Sequence, residues 1–491
     1  MRDWLIHIKR GEYASLQTQI REALVSAILD RQLDQQEPIP STRKMAKSLG
    51  VSRNTVVLAY QGLLDDGYLL ARQRSGYFVA DKALEDHVAK PRVSKAPAKA
   101  KPQGLDWERL VKKHPSHQEN VVKPRNWQDY PFPFIYGQVD HTLFPLAEWR
   151  DCTRQALGKK WLGDWTNDAT AADDPLLVEQ IRRRILPRRG IMASDDEILV
   201  TLGAQNAIYL ITSLLVSPET QVAMEEPGYP DMRNIFQLHT PQVKLAPVDQ
   251  AGLMAGPALE GANIVYATPS HQFPTTVTMP LERRMALLKK ASENNFIIIE
   301  DDYEFETNYV NEPCPALKSL DDEGRVIYVG SLSKTLFPGL RLGFMVGPKD
   351  FIREARALRR YMVRHAPSNN QRTAALFLSL GHHDALIRKL HKAYRTRWEI
   401  MADSLARHLP SSTRIPSFGG TSFWVKGPSK LDADALAETA QGKGILINPG
   451  RICFGAENAP RNYFRLAFSS IDEKKIEPGI KQLADLIKHS S

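Results

Sequence analysis

Four side chains occur at a spacing that could hold a phosphate-bearing pyridine ring. Lys334 follows an apolar run and the small turn residues 330–333. Asp301 follows another apolar run, and a carboxylate there would keep a pyridine nitrogen protonated, so that the ring acts as an electron sink. Tyr303 can hydrogen-bond the ring's phenolic oxygen, and Arg341 can bind a phosphate through two parallel hydrogen bonds.

Each of these residues also has an ordinary explanation when it is taken alone. Surface lysines beside serines are common, an Asp301–Asp302 pair can be a solvated turn, and Arg341 can be one surface charge among many. Gly203 could begin a helix whose free N–H groups, at Ala204 and Gln205, suit a phosphate, but many strand-to-helix turns contain glycine. The order of all these elements along one chain favours a pyridine-phosphate site.

The elements that must position these residues alternate between apolar runs and amphipathic stretches. Short apolar runs predict buried strands, and the stretches between them have helical periodicity. The predicted strands are 197–201, 296–300 and 326–330, and the clearest helices are 204–216 and 281–294. This alternation predicts an α/β fold with a mostly parallel sheet, followed from about residue 350 by long helices and a smaller C-terminal unit.

A second pattern precedes residue 80. Ser41 can cap a helix that ends before Gly50, and Ser52 can cap a second helix with apolar residues at helical spacing. Two helices joined by so tight a turn form a helix-turn-helix, and residues 68–79 predict a two-stranded wing with a basic tip. A helical hairpin that only packs or dimerises is the alternative. The polar first turn of the second helix favours DNA binding, because Arg and Asn there can read guanine and adenine.

Charge and composition divide the 491 residues in the same way. The net charge is +9, and residues 1–80 and 81–125 each hold more Lys and Arg than Asp and Glu, in the ratios 11 to 8 and 11 to 6. Such a basic end is expected of a chain that meets phosphate, although a solubilising surface would give the same excess. We predict a DNA-binding domain at 11–80, a basic linker rich in Pro, Ala and Lys at 81–128, and a ligand-binding domain at 129–488.

Three separated cysteines, with no CxxC pair, indicate neither a disulfide framework nor a zinc site, and no metal is predicted. The N-terminus has no apolar stretch typical of a signal peptide, and the apolar runs are too short to span a membrane. We therefore expect a cytoplasmic protein.

The N-terminal pattern resembles the winged helix of GntR-type bacterial repressors. The residues that carry the resemblance are PIPSTRKMAKSLGVSRNTVVLAYQGLLDDGYL at 38–69 and RQRSGYFV at 72–79. It implies a set of residues that contact double-stranded DNA, with the wing in or near the minor groove. That set is Arg43, Ser52, Arg53, Asn54, Thr55, Ser75 and Gly76.

The larger part resembles fold-type I aminotransferases through IIIEDDY at 297–303, SLSKTLFPGLRLGF at 331–344 and EEPGYP at 225–230. More narrowly, the chain resembles MocR-type regulators, in which a GntR winged helix is fused to an aminotransferase domain. Members regulate genes for the use of GABA, taurine or ectoine, or for pyridoxal phosphate synthesis.

The resemblance implies pyridoxal 5'-phosphate bound as an internal aldimine on Lys334, with Asp301 at the pyridine nitrogen and Tyr303 at the ring oxygen. It also implies a phosphate site, a residue that stacks on the ring or lines the pocket, and an arginine that grips the carboxylate of an amino ligand. The implied phosphate site consists of Ser331, Ser333, Arg341, Ala204 and Gln205. The residue that stacks on the ring or lines the pocket is Tyr229, and the carboxylate-binding arginine is Arg465 in YFRLAFSS at 463–470. A surface arginine at the end of a strand is the alternative explanation of Arg465.

One position departs from the family pattern. TPSHQFPTTVTM at 268–279 resembles the family's SHQFPTG turn, but Thr276 stands where Gly is usual. Because a β-branched residue disfavours a positive φ, the sequence predicts a turn without one, which affects the placement of His271 and Gln272.

Three functions follow from these patterns. The first is a homodimeric, PLP-dependent transcription regulator that binds repeated operator half-sites and senses a small amino compound by forming an external aldimine at Lys334. The second is an active aminotransferase with an accessory DNA-binding domain. The third is an inactive aminotransferase fold used only for dimerisation, against which the presence of Lys334, Asp301 and Arg341 argues.

Overall fold

A computed structural model of the chain describes residues 8, 14–73, 75–80, 105–135, 139–310, 314–410, 412 and 419–490. The chain forms two compact units that divide between Glu108 and Arg109. The first half of the predicted linker, residues 81–104, lies outside the described residues, as does Arg74 at the predicted tip of the wing.

The N-terminal unit contains the predicted helix-turn-helix and wing. Its elements are α1 (Leu16–Leu29), α2 (Thr42–Leu49), α3 (Arg53–Asp65), β1 (Leu69–Arg72) and β2 (Gly76–Val79). The Ser41 hydroxyl accepts the backbone N–H of Lys44 at the start of α2, and Gly50 ends that helix in the left-handed conformation at φ 62°. The Ser52 hydroxyl caps α3 in the same way, at 3.1 Å from the backbone nitrogen of Thr55. These caps satisfy N–H groups that a helix start leaves without intrahelical partners.

A small apolar core holds this unit together. One face of α3 buries Val56, Tyr60 and Leu63 against Ile20 and Leu24 of α1. Strands β1 and β2 pair in antiparallel register, as the wing prediction requires.

The larger unit is built on an eight-stranded sheet. Its strands are β4 (Ile198–Thr201), β5 (Val222–Glu226), β6 (Val243–Asp249), β7 (Gly252–Leu253), β8 (Ile264–Ala267), β9 (Ile297–Asp302), β10 (Val326–Ser331) and β11 (Gly343–Val346). The strand order is β4-β11-β10-β9-β8-β5-β6-β7. The five central strands from β10 to β6 are parallel, whereas β11 is antiparallel to both of its neighbours. The mostly parallel α/β sheet predicted from the sequence is therefore confirmed.

Helices cover both faces of this sheet, which explains why its strands are apolar throughout. Ile299 of β9 packs in one core with Ile208, and the next residue back, Ile298, packs in another with Leu287. The helices of the unit are α4 (Trp107–Leu110), at its boundary, α5 (Leu146–Ala156), α6 (Leu162–Thr166), α7 (Pro175–Gln180), α8 (Ala204–Leu215), α9 (Pro230–Gln237), α10 (Leu281–Asn294), α11 (Lys349–Val363), α12 (Ser368–Ser379) and α13 (His382–His408).

A smaller C-terminal subdomain completes the unit. It contains β12 (Ser422–Lys426), α14 (Ala433–Gly442), β13 (Ile445–Leu446), β14 (Asn448–Pro449), β15 (Tyr463–Ala467) and α15 (Glu473–Ser490). Strands β12, β15 and β14 form one sheet, and β13 pairs with β3 (Phe132–Pro133) from the start of the unit. Within the described ranges, no helix combines the length and the apolar character needed to cross a membrane.

Candidate functional site

A pocket of about 720 Å³, part of it open to solvent, lies at the carboxyl ends of the parallel strands. This is where ligands bind in open α/β sheets, because loops from adjacent strands leave a crevice there. All nine residues predicted from the sequence to hold the cofactor line this pocket: Ala204, Gln205, Tyr229, Asp301, Tyr303, Ser331, Ser333, Lys334 and Arg341.

The alternation of side chains along β9 decides the roles of its two aspartates. Asp301 faces the pocket, and its Oδ2 accepts a hydrogen bond of 2.7 Å from the Tyr266 hydroxyl. Asp302 faces the other way, where it accepts bonds from Arg189 at 2.7 Å and from the Tyr328 hydroxyl at 2.9 Å. Both residues are buried, so the pair is not a solvated turn.

The Asp301 carboxyl group is buried in a way that would favour the binding of a cation beside it. Burial raises its pKa from 3.8 to about 7. Its Oδ1 is buried and has no hydrogen-bond partner in the part of the chain that the structure describes. A protonated pyridine nitrogen would supply the missing partner and would return the group to its ionised form.

Lys334 lies in the turn after β10, in the wall of the same pocket. Its Nζ is 5.6 Å from the centroid of the Tyr303 ring. Burial lowers the pKa of the amine from 10.5 to about 8, while the nearby Glu304 and Asp301 carboxylates oppose that shift. A larger fraction of this amine is therefore neutral and nucleophilic at neutral pH than of an ordinary lysine.

One side of the pocket has the composition of a phosphate site. The first N–H groups of α8, at Ala204 and Gln205, have no carbonyl within the helix to bind. The Arg341 guanidinium donates to the Leu202 carbonyl at 2.7 Å and lies so close to Gly203 that a Cβ there would be 3.1 Å from Nη2. Gly203 has φ 88° and thus serves both the turn and the close approach of the arginine. Among the described residues, the buried Ser333 hydroxyl also lacks a partner.

Aromatic side chains form another part of the pocket lining. The Tyr229 and Phe273 ring centroids are 5.2 Å apart, and those of Phe273 and Tyr303 are 6.4 Å apart. Arg465 of β15 lies beside this part of the lining, with its guanidinium carbon 4.4 Å from the Phe273 centroid. Its Nε donates to the Ser422 hydroxyl at 2.6 Å. Burial raises the pKa of the Tyr303 hydroxyl, and the positive charge of Arg465 opposes that rise. Arg465 is 2% exposed and is therefore not a surface arginine.

The expectation for Thr276 was wrong, because this residue has φ 61°. The conformation is imposed by a tight turn in which the Thr276 N–H donates to the Gln272 carbonyl at 2.6 Å. The turn places Gln272 so that its side-chain amide donates to the Pro227 carbonyl at 2.8 Å, and His271 is buried beside it. The backbone thus keeps the conformation that glycine would adopt, with the strain that a β-branched residue brings to it.

Three further polar residues of the site were missed in the sequence. Tyr266 orients Asp301, and its position at the carboxyl end of an apolar strand could have revealed it. Glu225 is buried, accepts both the N–H and the hydroxyl of Thr268, and has its pKa raised to about 7 by burial. Glu304 accepts from the Thr421 hydroxyl at 2.6 Å. No pattern identifies Glu304, since its partner is more than a hundred residues away in the chain.

The N-terminal unit presents the residues that were expected to contact DNA. Arg53, Asn54 and Ser52 are exposed in the first turn of α3, and Thr55 is partly buried by its contact with the Ser52 hydroxyl. The other members of the predicted set, Arg43, Ser75 and Gly76, are exposed as well. Arg72 in the wing lies over the Phe78 ring at 4.4 Å.

Replacing Asp301 by Asn should stabilise the cofactor-free protein, and the gain should grow with pH. The unfolded chain ionises this carboxyl above about pH 4, whereas the folded protein keeps it protonated up to about pH 7. Rising pH across that interval therefore destabilises the wild type relative to the variant, by at most about 4 kcal/mol at pH 8. Urea unfolding of both proteins at pH 5 and pH 8 measures this difference. A variant that loses stability relative to the wild type as the pH rises would contradict the assignment.

Two family models match the chain. The model of bacterial regulatory proteins of the gntR family matches residues 16–79, and the model of aminotransferase class I and II matches residues 170–483. The two matches fall in the two units of the fold, respectively.

Relatives with both parts match over nearly the whole chain. The HTH-type transcriptional regulator TauR of Rhodobacter capsulatus is 43% identical over 97% of this chain and 98% of its own. The probable rhizopine catabolism regulatory protein MocR of Rhizobium meliloti is 28% identical over 98% of this chain and 95% of its own. A solved kynurenine aminotransferase of Pyrococcus horikoshii, in complex with PMP, is 30% identical, has a TM-score of 0.71, and matches 78% of this chain and 98% of its own.

Proposed function

The chain belongs to the MocR-type regulators, in which a GntR winged helix is fused to an aminotransferase class I and II domain, and we propose that it is a transcription regulator that senses a small amino compound through pyridoxal 5'-phosphate on Lys334. One observation carries this proposal: the predicted cofactor residues line one pocket around Lys334, in a chain whose other unit exposes the side chains that we expect to read a DNA groove.

The cofactor of this domain is pyridoxal 5'-phosphate, and the pocket fits it. The Asp301 carboxyl with its unpartnered buried oxygen suits the pyridine nitrogen, and the N-terminus of α8 with Arg341 and Ser333 suits the phosphate. When bound, the cofactor supplies an aldehyde that forms an imine with Lys334 and exchanges it for an imine with an incoming amine. The lowered pKa of Lys334 supports that role, because the exchange requires a neutral amine.

Arg465 is proposed to bind the anionic group of the amino compound. It is buried and is held by Ser422 on β12, the strand paired with its own. A buried guanidinium binds a carboxylate or sulfonate through two strong hydrogen bonds, and its planar shape fixes the orientation of the ligand. The site would therefore accept amino acids and aminosulfonates and reject simple amines.

Replacing Arg465 by Met is expected to remove this preference. The wild type should bind 4-aminobutanoate, 2-aminoethanesulfonate or L-alanine at least tenfold more tightly than n-butylamine. The variant should lose about 10- to 100-fold in affinity for the anionic amine and almost nothing for n-butylamine, because only the former loses charge-assisted bonds. Visible-absorbance titrations of the cofactor measure both affinities. Arg461→Met, which removes an exposed arginine paired with Asp432 near the start of β15, is the matched control.

DNA binding is proposed to use the first turn of α3 and the wing. Arg53 and Asn54 would enter the major groove, and the exposed Ser75 and Gly76 would approach the minor groove. A homodimer would place two such units on repeated half-sites, and a basic linker would allow those half-sites to be separated. In this proposal the DNA-binding domain is 11–80, the linker is 81–128 and the ligand-binding domain is 129–488.

An active aminotransferase is the second candidate, and the completeness of the pocket favours it. Lys334, Asp301 and Arg341 all line the cavity, so three groups that amino-group transfer would use are present together. Sustained turnover with an amino donor and a 2-oxo acid would establish this function.

The regulator proposal is tested by measuring two responses of the same full-length protein. Duplexes that the cofactor-bound protein selects from a random-sequence pool provide the operator. The four amines are then titrated while the visible spectrum and the operator affinity are followed. We expect at least one anionic amine to change both. The sensing role would be wrong if the protein bound its operator selectively, no amine altered that binding, and the protein turned over an amino donor and a 2-oxo acid efficiently. That result would support the aminotransferase function instead.

A further inference from the structure

The segment 118–123, which we call the bridge segment, contacts the helix that follows the pocket residue Tyr229, although the composition of the segment is that of a linker. The Gln118 side-chain amide donates to the Asn234 carbonyl at 3.0 Å, and the Asn234 side chain donates to the Glu119 carbonyl at 2.8 Å. Asn234 is buried in α9, the helix that follows Tyr229 of the pocket wall directly. The bridge segment is thereby anchored to the part of the unit that contains the large sheet.

The side chain of Glu119 makes a second anchor on the C-terminal subdomain. Its carboxylate accepts a hydrogen bond of 2.9 Å from Nη2 of Arg451. The Arg451 guanidinium also lowers the pKa of the Glu119 carboxyl, so the ion pair persists at neutral pH. Arg451 is oriented in turn by Asp434, whose carboxylate is 3.3 Å from its Nε. Glu119 thus contacts the part of the unit that contains the large sheet through its backbone carbonyl, and the C-terminal subdomain through its side chain.

The subdomain loop that begins at Arg451 also borders the pocket. The Ile452 carbonyl accepts from Arg233 at 2.8 Å, and the Cys453 carbonyl accepts from the N–H of Gly228 at 2.8 Å. The Glu226 carboxylate accepts from the N–H of Gly455 at 2.9 Å. These contacts join the two sides of the pocket near Tyr229, so a displacement of one side against the other would change them.

We propose that the bridge segment transmits the state of the Lys334 pocket to the N-terminal unit, with Glu119 and Asn234 as the positioning residues. This inference rests on the proposed function. A ligand held by Arg465 of the subdomain and attached at Lys334 of the large sheet favours one separation of the two sides. Glu119 is bonded to both sides, so its anchoring changes with that separation. The bridge segment is preceded in the chain by the DNA-binding unit. Among the described residues between that unit and the bridge segment, the longest helix or strand is the four-residue α4.

A ligand can shift such an equilibrium only through its different affinity for the two states. The two hydrogen bonds of Glu119 could provide this difference between states. If the two sides of the pocket approach each other, both bonds can be kept only when the bridge segment moves as well. The charge of Lys123, at the other end of the bridge segment, contributes to the lowered pKa of Lys334. The bridge segment therefore extends to within electrostatic reach of the reacting amine.

The test uses the full-length, cofactor-bound protein and the variant Glu119→Gln, which removes the charge and preserves the shape. Its matched control is Glu477→Gln, which removes a similarly exposed ion pair with Arg407, between α13 and α15. L-Alanine, 4-aminobutanoate and 2-aminoethanesulfonate are the probes. Visible absorbance reports binding at the pocket, operator affinity reports the response of the DNA-binding unit, and hydrogen exchange by mass spectrometry reports the order of residues 109–123.

In Glu119→Gln, half-saturation of the spectral change should stay within about twofold of the wild-type value, since Glu119 does not line the pocket. The ligand-induced change in operator affinity should fall about two- to fivefold, the range of an exposed ion pair. Exchange in 109–123 should become faster and independent of the probe. Glu477→Gln should match the wild type in all three measurements.

Two results would overturn the inference: a wild-type operator response together with wild-type exchange in Glu119→Gln, or an equal loss of response in Glu477→Gln. Failure of the proposed function is a different result, in which no probe changes the spectrum of the wild type. In that case, exchange in 109–123 is compared between the cofactor-free and cofactor-bound protein. A segment that is indifferent to the cofactor then overturns the inference as well.

Discussion

Replacing Lys334 by Ala is expected to abolish covalent attachment of the cofactor completely. Lys334 lies in the pocket wall beside Tyr303 and Asp301, and its lowered pKa makes it the amine best suited to react with an aldehyde there. Borohydride reduction followed by denaturation should leave the cofactor bound to the wild-type peptide that contains Lys334 and to no peptide of the variant. The visible band of the protein-bound imine should disappear with it.

The same substitution should also disconnect amine binding from DNA binding. Without Lys334, an amine can react only with cofactor held by noncovalent contacts, and the exchange of one imine for another no longer occurs. Lys349→Ala is the matched control, because this exposed lysine pairs with Asp196 away from the pocket. If Lys334→Ala retained a reducible imine on the protein, or if Lys349→Ala lost it, the assignment of the reacting amine would be wrong.

Two of the pocket residues that were identified from the sequence, Asp301 and Lys334, could be recognised because they lie where strands end. Asp301 directly follows one apolar run, Lys334 lies in the turn after another, and the carboxyl ends of adjacent parallel strands meet at one edge of a sheet. The register of β9 and β10 brings them into one pocket. The choice between Asp301 and Asp302 could also be made from strand alternation once the strand was known to include both residues.

Other features could not be predicted because they depend on contacts distant in the chain. The bond between Glu304 and Thr421 joins the sheet to the subdomain, and no local pattern encodes it. The positive φ of Thr276 contradicts the local preference of a β-branched residue and follows from the closed turn with Gln272. The bridge segment lacks a buried apolar face, so its polar contacts with Asn234 and Arg451 leave no periodic signal.

The second large effect is expected in the N-terminal unit, from the double substitution Arg53→Ala and Asn54→Ala. Both side chains are exposed in the first turn of α3, whose backbone is already capped by Ser52. Their loss should therefore remove base contacts without unfolding the helix. Each good base contact contributes about 1–3 kcal/mol of discrimination, so the double variant should lose about 10²- to 10⁴-fold in affinity for the selected operator half-site.

The salt dependence and a control variant separate this effect from a general loss of DNA binding. The affinity of the double variant for nonspecific DNA should change far less than its affinity for the operator. Nonspecific binding depends on the total positive charge, so the change should be no larger than the loss of one phosphate contact. Arg21→Ala removes an arginine of the same unit that pairs with Asp66, at the opposite end of α3, and should leave operator binding within a few-fold of the wild type. The imine band at Lys334 should be unchanged in both variants. Retention of operator selectivity by the double variant would show that the first turn of α3 does not read the bases, and the regulator would then have to recognise its DNA through the wing or through the shape of the duplex.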